Sequence, residues 1–407
     1  MQDAASQTRV ARIVLAAQAM RALLYGFGAV VLGEALATEG LSTIAVGAIF
    51  TAMLAGMAVA SLAVGRWADA IGRRRTYAAL FVVLGIAGTA FALSSWLPLL
   101  LVAALTGTLS TDANESGPIT SIEQALLSGV EPGLRARVFG RYNAVAYAGG
   151  SLGALAAGGP VVLRHVLPSV PAGQRWLLAF PFVALICLLV IRRLPATVDV
   201  PLQQGERGGI VRSRRSVRRL ALLFATDAFA GGFVVQSFVV FWFARRYGAT
   251  VELMGLVFFA VGVLQALSSL AAAPLARRIG LLNTMVFTHL PSNLLLAAIP
   301  LMPSLPLALT ALLARSALGQ MDVPARQAYI AALVDPSERG AAAAYTNSAR
   351  YAVRPVGPAG AAALMQDVSL AAPFVAAAAI KVVYDLTLLL LFRGTPIEPA
   401  GEAAGAG

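Results

Sequence analysis

The chain of 407 residues is 58% hydrophobic and only 12% charged, against roughly 25% charged in a soluble domain. That composition excludes an ordinary globular protein and marks a chain that crosses a membrane many times. A formal net charge of +12 would suggest nucleic acid in a soluble protein, but here the arginines gather in particular loops and read as topogenic, so no nucleic-acid partner is expected.

Only helices or a closed barrel satisfy their backbone in lipid, and continuous apolar runs without strict alternation select helices. Apolar runs of about 20 residues span the hydrocarbon core. Runs of that kind fall near 13–37, 41–64, 76–95, 97–127, 138–163 and 175–194, then near 219–244, 250–275, 281–302, 305–333, 340–365 and 370–392. The reading is an all-α membrane protein with twelve transmembrane helices in two six-helix bundles. Basic residues cluster at Arg9 and Arg12, at 66–75, at Arg135 to Arg141, from Arg192 to Arg219, at Arg277 and Arg278, near Arg339 and at Arg393. This alternation predicts both termini on the cytoplasmic face of a cytoplasmic membrane. The first residues show no cleaved signal peptide, so the first helix is expected to act as its own insertion signal. Cys187 is the single cysteine, which leaves no disulfide framework or thiolate metal site to expect.

The expected organisation is a first bundle over 1–194, a Pro-, Gly-, Gln- and Arg-rich cytoplasmic linker over 195–218, a second bundle over 219–393 and a disordered tail over 394–407. The halves repeat each other. Laying 130–157 on 334–361 places Val130 on Val334, Pro132 on Pro336, Arg135 on Arg339, Asn143 on Asn347, Tyr147 on Tyr351 and Gly153 on Gly357.

Between the second and third runs lies GRWADAIGRRRTY, Gly65 to Tyr77. Gly65 and Gly72 permit a tight reversal, and Asp69 is the one carboxylate among four arginines. As a bare basic loop this is an orientation signal. Its Gly-x-x-x-Asp-x-x-Gly-Arg-Arg order (Gly65, Asp69, Gly72, Arg73, Arg74) resembles the signature between the second and third helices of the major facilitator superfamily. The resemblance implies two pseudo-symmetric bundles, a site between them, and a gating contact at this motif that forms in one conformation and breaks in the other.

A charge at membrane depth costs about 3 kcal/mol or more, so each such residue needs a partner, a water cavity or a task. Arg21 sits mid-way along the first run and reads equally as an inter-helix anchor or a substrate contact. The fourth run carries Asp112, Glu115, Gly117, Pro118 and Glu123, and a broken backbone with Glu115 lining a cavity is expected there. Gly149 to Gly153 formally fits Gly-x-Ser-x-Gly, but His165 and His289 offer no readable catalytic base, and small residues at this spacing serve close helix packing, so no enzyme activity is expected. Asp227, with Gln236 on roughly the same face, is the leading protonatable carboxylate; its alternative is a structural pair with Arg218 or Arg219. Later runs add Arg315, Asp322, Arg350 and Arg354, and two arginines four residues apart on one face require anions, either protein carboxylates or an anionic substrate. Lys381 and Asp385, also four apart, are expected to pair with each other.

These residues predict a monomeric secondary transporter of a small molecule, embedded in the lipid bilayer, with no cofactor and no metal. Without a Walker phosphate loop the driving force must be an ion gradient or the solute's own. The resemblance favours protons as coupling ion and efflux as direction. Aromatic residues such as Tyr25, Phe229, Phe238 and Trp242 suit amphipathic cargo or plain packing, whereas the buried arginines suit an organic or inorganic anion. A non-transporting membrane receptor is the alternative of a different class.

Overall fold

The computed structural model describes residues 2–112, 117–127, 132–171, 173–199, 210–335 and 338–395, and these contain helices and connecting turns without a strand. The first eight α-helices are α1 (Gln2–Thr38), α2 (Thr43–Ile71), α3 (Arg73–Leu93), α4 (Leu97–Leu105), α5 (Pro118–Leu127), α6 (Pro132–Ala156), α7 (Gly159–Val166) and α8 (Ala179–Ile191). They are followed by α9 (Arg214–Gly232), α10 (Gln236–Tyr247), α11 (Val251–Ile279), α12 (Leu281–Ala298), α13 (Leu305–Leu318), α14 (Asp322–Leu333), α15 (Arg339–Val353), α16 (Val356–Asp367) and α17 (Ala372–Phe392).

Among the described residues nine spans are long and apolar enough to cross a membrane. The three remaining expected crossings are consistent with α4 joined to α5, α13 to α14 and α15 to α16. Large side chains that water would expel, including Leu62, Ile86, Val102, Leu270 and Leu390, stand exposed on the helices. That is the placement expected of lipid-facing positions in a multi-pass membrane protein.

The fourth run, where a broken backbone is expected, unwinds after Leu105, and the seventh, expected as one helix, breaks between Gly232 and Gln236. Irregular backbone at membrane depth is tolerated only where other polar groups satisfy it. The Thr106 hydroxyl donates to the Ala103 carbonyl at 2.7 Å, the Tyr25 phenol to the Thr108 carbonyl at 2.6 Å, and the Ser110 hydroxyl to the Asp112 carbonyl at 2.6 Å.

The chain forms two compact units. Unit 1 comprises Met1–Gln203, Val235–Val263 and Pro358–Asp367; unit 2 comprises Gln204–Val234, Leu264–Gly357 and Val368–Gly407. Unit 1 is built on the pairing of α1 with α6. A Cβ on Gly26 would collide with the Gly150 carbonyl, and one on Gly149 would lie 2.9 Å from the Ala22 Cβ. The Ser151 hydroxyl donates to the Tyr147 carbonyl one turn back at 2.8 Å, so the Gly-x-Ser-x-Gly run forms a helix-packing seam. In unit 2, Val217, Leu220, Phe224, Met285, Tyr329, Tyr384 and Leu388 form an apolar cluster drawn from α9, α12, α14 and α17. Asp227, His289, Asp322, Arg326, Lys381 and Asp385, all buried, lie on the same helices.

Candidate functional site

Unit 2 concentrates its charges around Asp227 of α9. The Lys381 ammonium from α17 donates to Asp227 Oδ1 at 2.5 Å, Arg326 Nη1 of α14 lies 3.6 Å from Oδ2, and His289 Nε2 of α12 lies 3.8 Å from Oδ1. All four side chains are at most 8% exposed. On the other edge of the imidazole, Nδ1 donates to Asp385 Oδ1 at 2.8 Å, and the Asn293 amide donates to Asp385 Oδ2 at 2.9 Å. Asp322 shares Arg326 at 3.3 Å, and the Arg326 guanidinium lies over the Phe224 ring at 5.4 Å.

The expected Lys381–Asp385 pair is therefore replaced by two inter-helix contacts. Both residues point inward from one face of α17, but an ammonium this buried gains more from a carboxylate on a neighbouring helix than from one on its own surface. Asp227 likewise pairs with Lys381 and Arg326 rather than with Arg218 or Arg219. Arg315 and Arg350 have buried Nε atoms with no hydrogen-bond partner among the described residues. Arg354 is half-buried one turn beyond Arg350, at the junction of α15 and α16.

Unit 1 holds a second buried network with the charges reversed. Arg21 of α1 meets Glu123 of α5 at 2.6 Å and also donates to the Gln18 amide oxygen. Tyr77 donates to Glu123 Oε1 at 2.7 Å and Tyr142 to Oε2 at 2.6 Å. Glu123 therefore accepts from one guanidinium and two phenols, which is how a buried carboxylate is held without water. Arg21 is part of this closed set, and Glu123 lies fully buried at its centre.

Asp112 and Gln236 are brought together within the same unit. Asp112 Oδ1 accepts from the Gln236 backbone N–H at 2.6 Å, and the Thr111 carbonyl accepts from Ser237 N–H at 3.0 Å. A carboxylate thus caps the N-terminus of α10, where free N–H groups and the helix dipole favour negative charge. Glu115 lies outside the described residues.

In the 65–77 break, Asp69 accepts from Arg73 Nε at 2.7 Å across one helical turn. Gly72 has φ +100°, a conformation that a side chain rarely adopts, and it separates α2 from α3. The Arg74 N–H donates to Asp199 Oδ1 at 2.8 Å and its guanidinium to the Leu194 carbonyl at 3.3 Å. A Cβ on Gly65 would meet nothing within 4 Å. Among the described residues no group of three His, Cys, Asp or Glu is placed to hold a metal ion.

The model of the Major Facilitator Superfamily matches residues 14–319 and 220–407, which together take in nearly the whole chain. The chain belongs to the Major Facilitator Superfamily. An uncharacterised membrane protein of Saccharomyces cerevisiae is 24% identical over 424 aligned positions, covering 95% of each chain. Among solved structures, a bacterial homologue of the human lysosomal transporter Spinster, inward-facing and occupied, superposes with TM-score 0.74 at 16% identity, covering 95% of this chain and 97% of that one. The nucleoside transporter NupG superposes with TM-score 0.71 at 14% identity, covering 94% and 99%. At these identities the shared property is the fold, and membership makes this facilitator protein a membrane transporter of a kind that is typically not an enzyme.

Sequence reasoning underweighted His289 and Asn293 in this facilitator protein. Their signal is a four-residue spacing on one face of an apolar helix, the same signal that drew attention to Arg350 and Arg354. The aromatic residues offered as cavity walls are largely packing: Phe238 and Trp242 are fully buried, with rings against Phe50 and Phe243.

Proposed function

We propose that this protein is a proton-coupled secondary transporter that exports a small solute across the cytoplasmic membrane by alternating access, acting as a monomer with both termini in the cytoplasm. The observation that carries the reading is His289 set between Asp385 at 2.8 Å and Asp227 at 3.8 Å, with Lys381 on the same oxygen of Asp227 at 2.5 Å. An imidazole has two ring nitrogens, so it can take a proton on one edge and release one on the other, between the groups it bridges. Gaining or losing one there changes the charge balance around Asp227 and hence which helices are held to α9. Asp227 is thus a charged partner in the relay, beside Asp112 and Glu115 as further candidate carboxylates.

Export follows from family analogy with small, short-looped members. The solved neighbours carry names as different as nucleoside and lysosomal transporter, so cargo has to be argued from this chain's own side chains. Positive-inside arginines support the cytoplasmic placement of the termini. The gating role of Gly65, Asp69, Gly72, Arg73 and Arg74 rests on the Asp69–Arg73 pair and on the Arg74 contacts to Asp199 and Leu194 that tie the start of α3 to the segment after α8.

The test is dissipation of an imposed pH gradient in proteoliposomes, challenged with amphipathic cations, neutral compounds and small anions, in the wild type and in His289→Gln and Asp385→Asn. The expected outcome is a response to one solute class that is lost in both variants. Solute binding without any gradient response would point to a uniporter or a receptor and overturn proton coupling.

A further inference from the structure

Unit 2 contains a cavity of about 130 Å³ between α9, α14 and α15. Arg326, Arg339 and Arg350 line it with Gln327, Thr346 and Asn347, and no carboxylate is among its lining residues within the described part of the chain. The apolar part of its wall includes Phe224, Val323 and Ile330. Arg326 is already engaged by Asp322 and Asp227. Arg350 instead keeps a buried Nε without a hydrogen-bond partner among the described residues. An unmet charged donor in such a place is costly, and an oxyanion removes the cost by accepting from it.

The internal repeat sharpens the contrast. On the overlay of 130–157 with 334–361, Thr346 occupies the station of Tyr142 and Arg350 that of Ala146. In unit 1 the Tyr142 phenol reaches inward and donates to Glu123 at 2.6 Å. A threonine at the matching station is too short to fill that space, and the added arginine brings a cation to its edge. Arg339, exposed at the first turn of α15, lies on the same helical face as Thr346 and Arg350 and sets positive charge toward one end of the cavity.

We propose that this cavity binds a small organic oxyanion, a carboxylate or phosphate group held by the Arg350 and Arg326 guanidinium groups and the Asn347 amide, with its hydrocarbon part against Phe224 and Ile330. The proposal rests on the transporter reading and names its substrate class. Planar guanidinium forks match both carboxylate and phosphate geometry, and the same chemistry is presented by an anionic lipid headgroup. A soluble solute is the committed source.

The experiment uses full-length protein purified in a neutral-headgroup detergent. Thermal unfolding is followed against inorganic phosphate, glycerol 3-phosphate and succinate, with glycerol and succinamide as matched neutral compounds. The expected result is saturable stabilisation by the two organic anions alone, with apparent affinity weakened about tenfold or more in Arg350→Gln and in Asn347→Ala. Asn347→Ala keeps the proposal testable if Arg350→Gln fails to fold. Equal responses to anions and neutral compounds, unchanged affinity in both variants, or stabilisation only by phosphatidylglycerol vesicles would each overturn it. In proteoliposomes the two readings separate. A pH gradient dissipated only by a cation or a neutral solute sinks the anion site and leaves proton coupling standing, whereas anion binding without gradient response does the reverse.

Discussion

At the scale of single residues, Asp227 and Lys381 define the most heavily coupled contact in unit 2. Asp227→Asn removes the anion from a buried ammonium and a buried guanidinium, and breaking such a pair typically costs about 3–5 kcal/mol. The expected result is a clear drop in the thermal midpoint of the purified protein, largely recovered when Lys381→Met is added to the same chain, since removing both charges together leaves neither unpaired. An unchanged midpoint in Asp227→Asn would contradict the 2.5 Å pairing. His289→Gln is expected to lower gradient-driven transport in proteoliposomes while leaving solute binding intact, because the link between Asp385 and Asp227 is lost. These polar residues were legible in the sequence as a set, because charges in apolar helices stand out; their partners were not. Lys381 and Asp385 are one turn apart and invite pairing, yet the partner Lys381 takes is 154 residues away in the chain.

At the scale of elements, the α1–α6 seam and the start of α9 each carry a prediction. Gly153→Leu, where even a Cβ would collide with the Leu23 carbonyl of α1, is expected to force α1 from α6 and abolish the folded, monodisperse fraction on size exclusion. Gly140→Ala on the same helix, where a Cβ meets nothing within 4 Å, is expected to be neutral or to stabilise by up to about 1 kcal/mol. That seam was readable from small-residue spacing alone, since close backbone approach needs the absence of side chains on both partners. The start of α9 was not readable. Glu338 accepts from the backbone N–H groups of Val211 and Arg212 at 2.6 and 2.7 Å and of Ser213 at 2.9 Å, while Arg212 pairs with Asp335 at 3.0 Å. Loss of hydration pushes the Glu338 carboxyl up, but these three N–H donors together hold it below its ordinary value. With the folded value depressed, the clasp stabilises fully above the ordinary glutamate range near pH 4.3 and is lost as pH falls further through the folded value. Amide exchange at Val211 to Ser213 is therefore expected to accelerate below about pH 4 and, in Glu338→Gln, to be fast already at pH 7.

At the scale of the whole molecule, each unit contains a buried charge network, and the two have opposite polarity. In unit 1 the first helix supplies the cation, Arg21, and the fourth crossing the anion, Glu123; in unit 2 the corresponding crossings supply Asp227 and Arg326. The first network is closed, with Glu123 accepting from Arg21, Tyr77 and Tyr142. Beside the second, the Nε atoms of Arg315 and Arg350 have no hydrogen-bond partner among the described residues. A closed buried pair is replaceable by apolar residues of similar size at little cost. Arg21→Met with Glu123→Met, combined with Tyr77→Phe and Tyr142→Phe so that no phenol is left without its acceptor, is thus expected to retain stability and transport, while Arg21→Met alone unfolds the protein at a markedly lower temperature. Loss of transport in that stable combined variant would assign this network, with Arg21 at its head, a direct part in transport.

The sequence by itself determined that the chain is helical and membrane-embedded, that its halves repeat, and that a dozen or so polar residues lie where lipid would not tolerate them unsatisfied, because hydropathy, spacing and the cost of burying charge are all properties of local sequence. Tertiary structure decided which carboxylate meets which cation, which helices break, and which arginine nitrogens are left without a hydrogen-bond partner among the described residues. Those outcomes depend on distances between helices far apart in the chain, and in a low-dielectric interior a shift of a few ångströms decides whether two charges pair or repel.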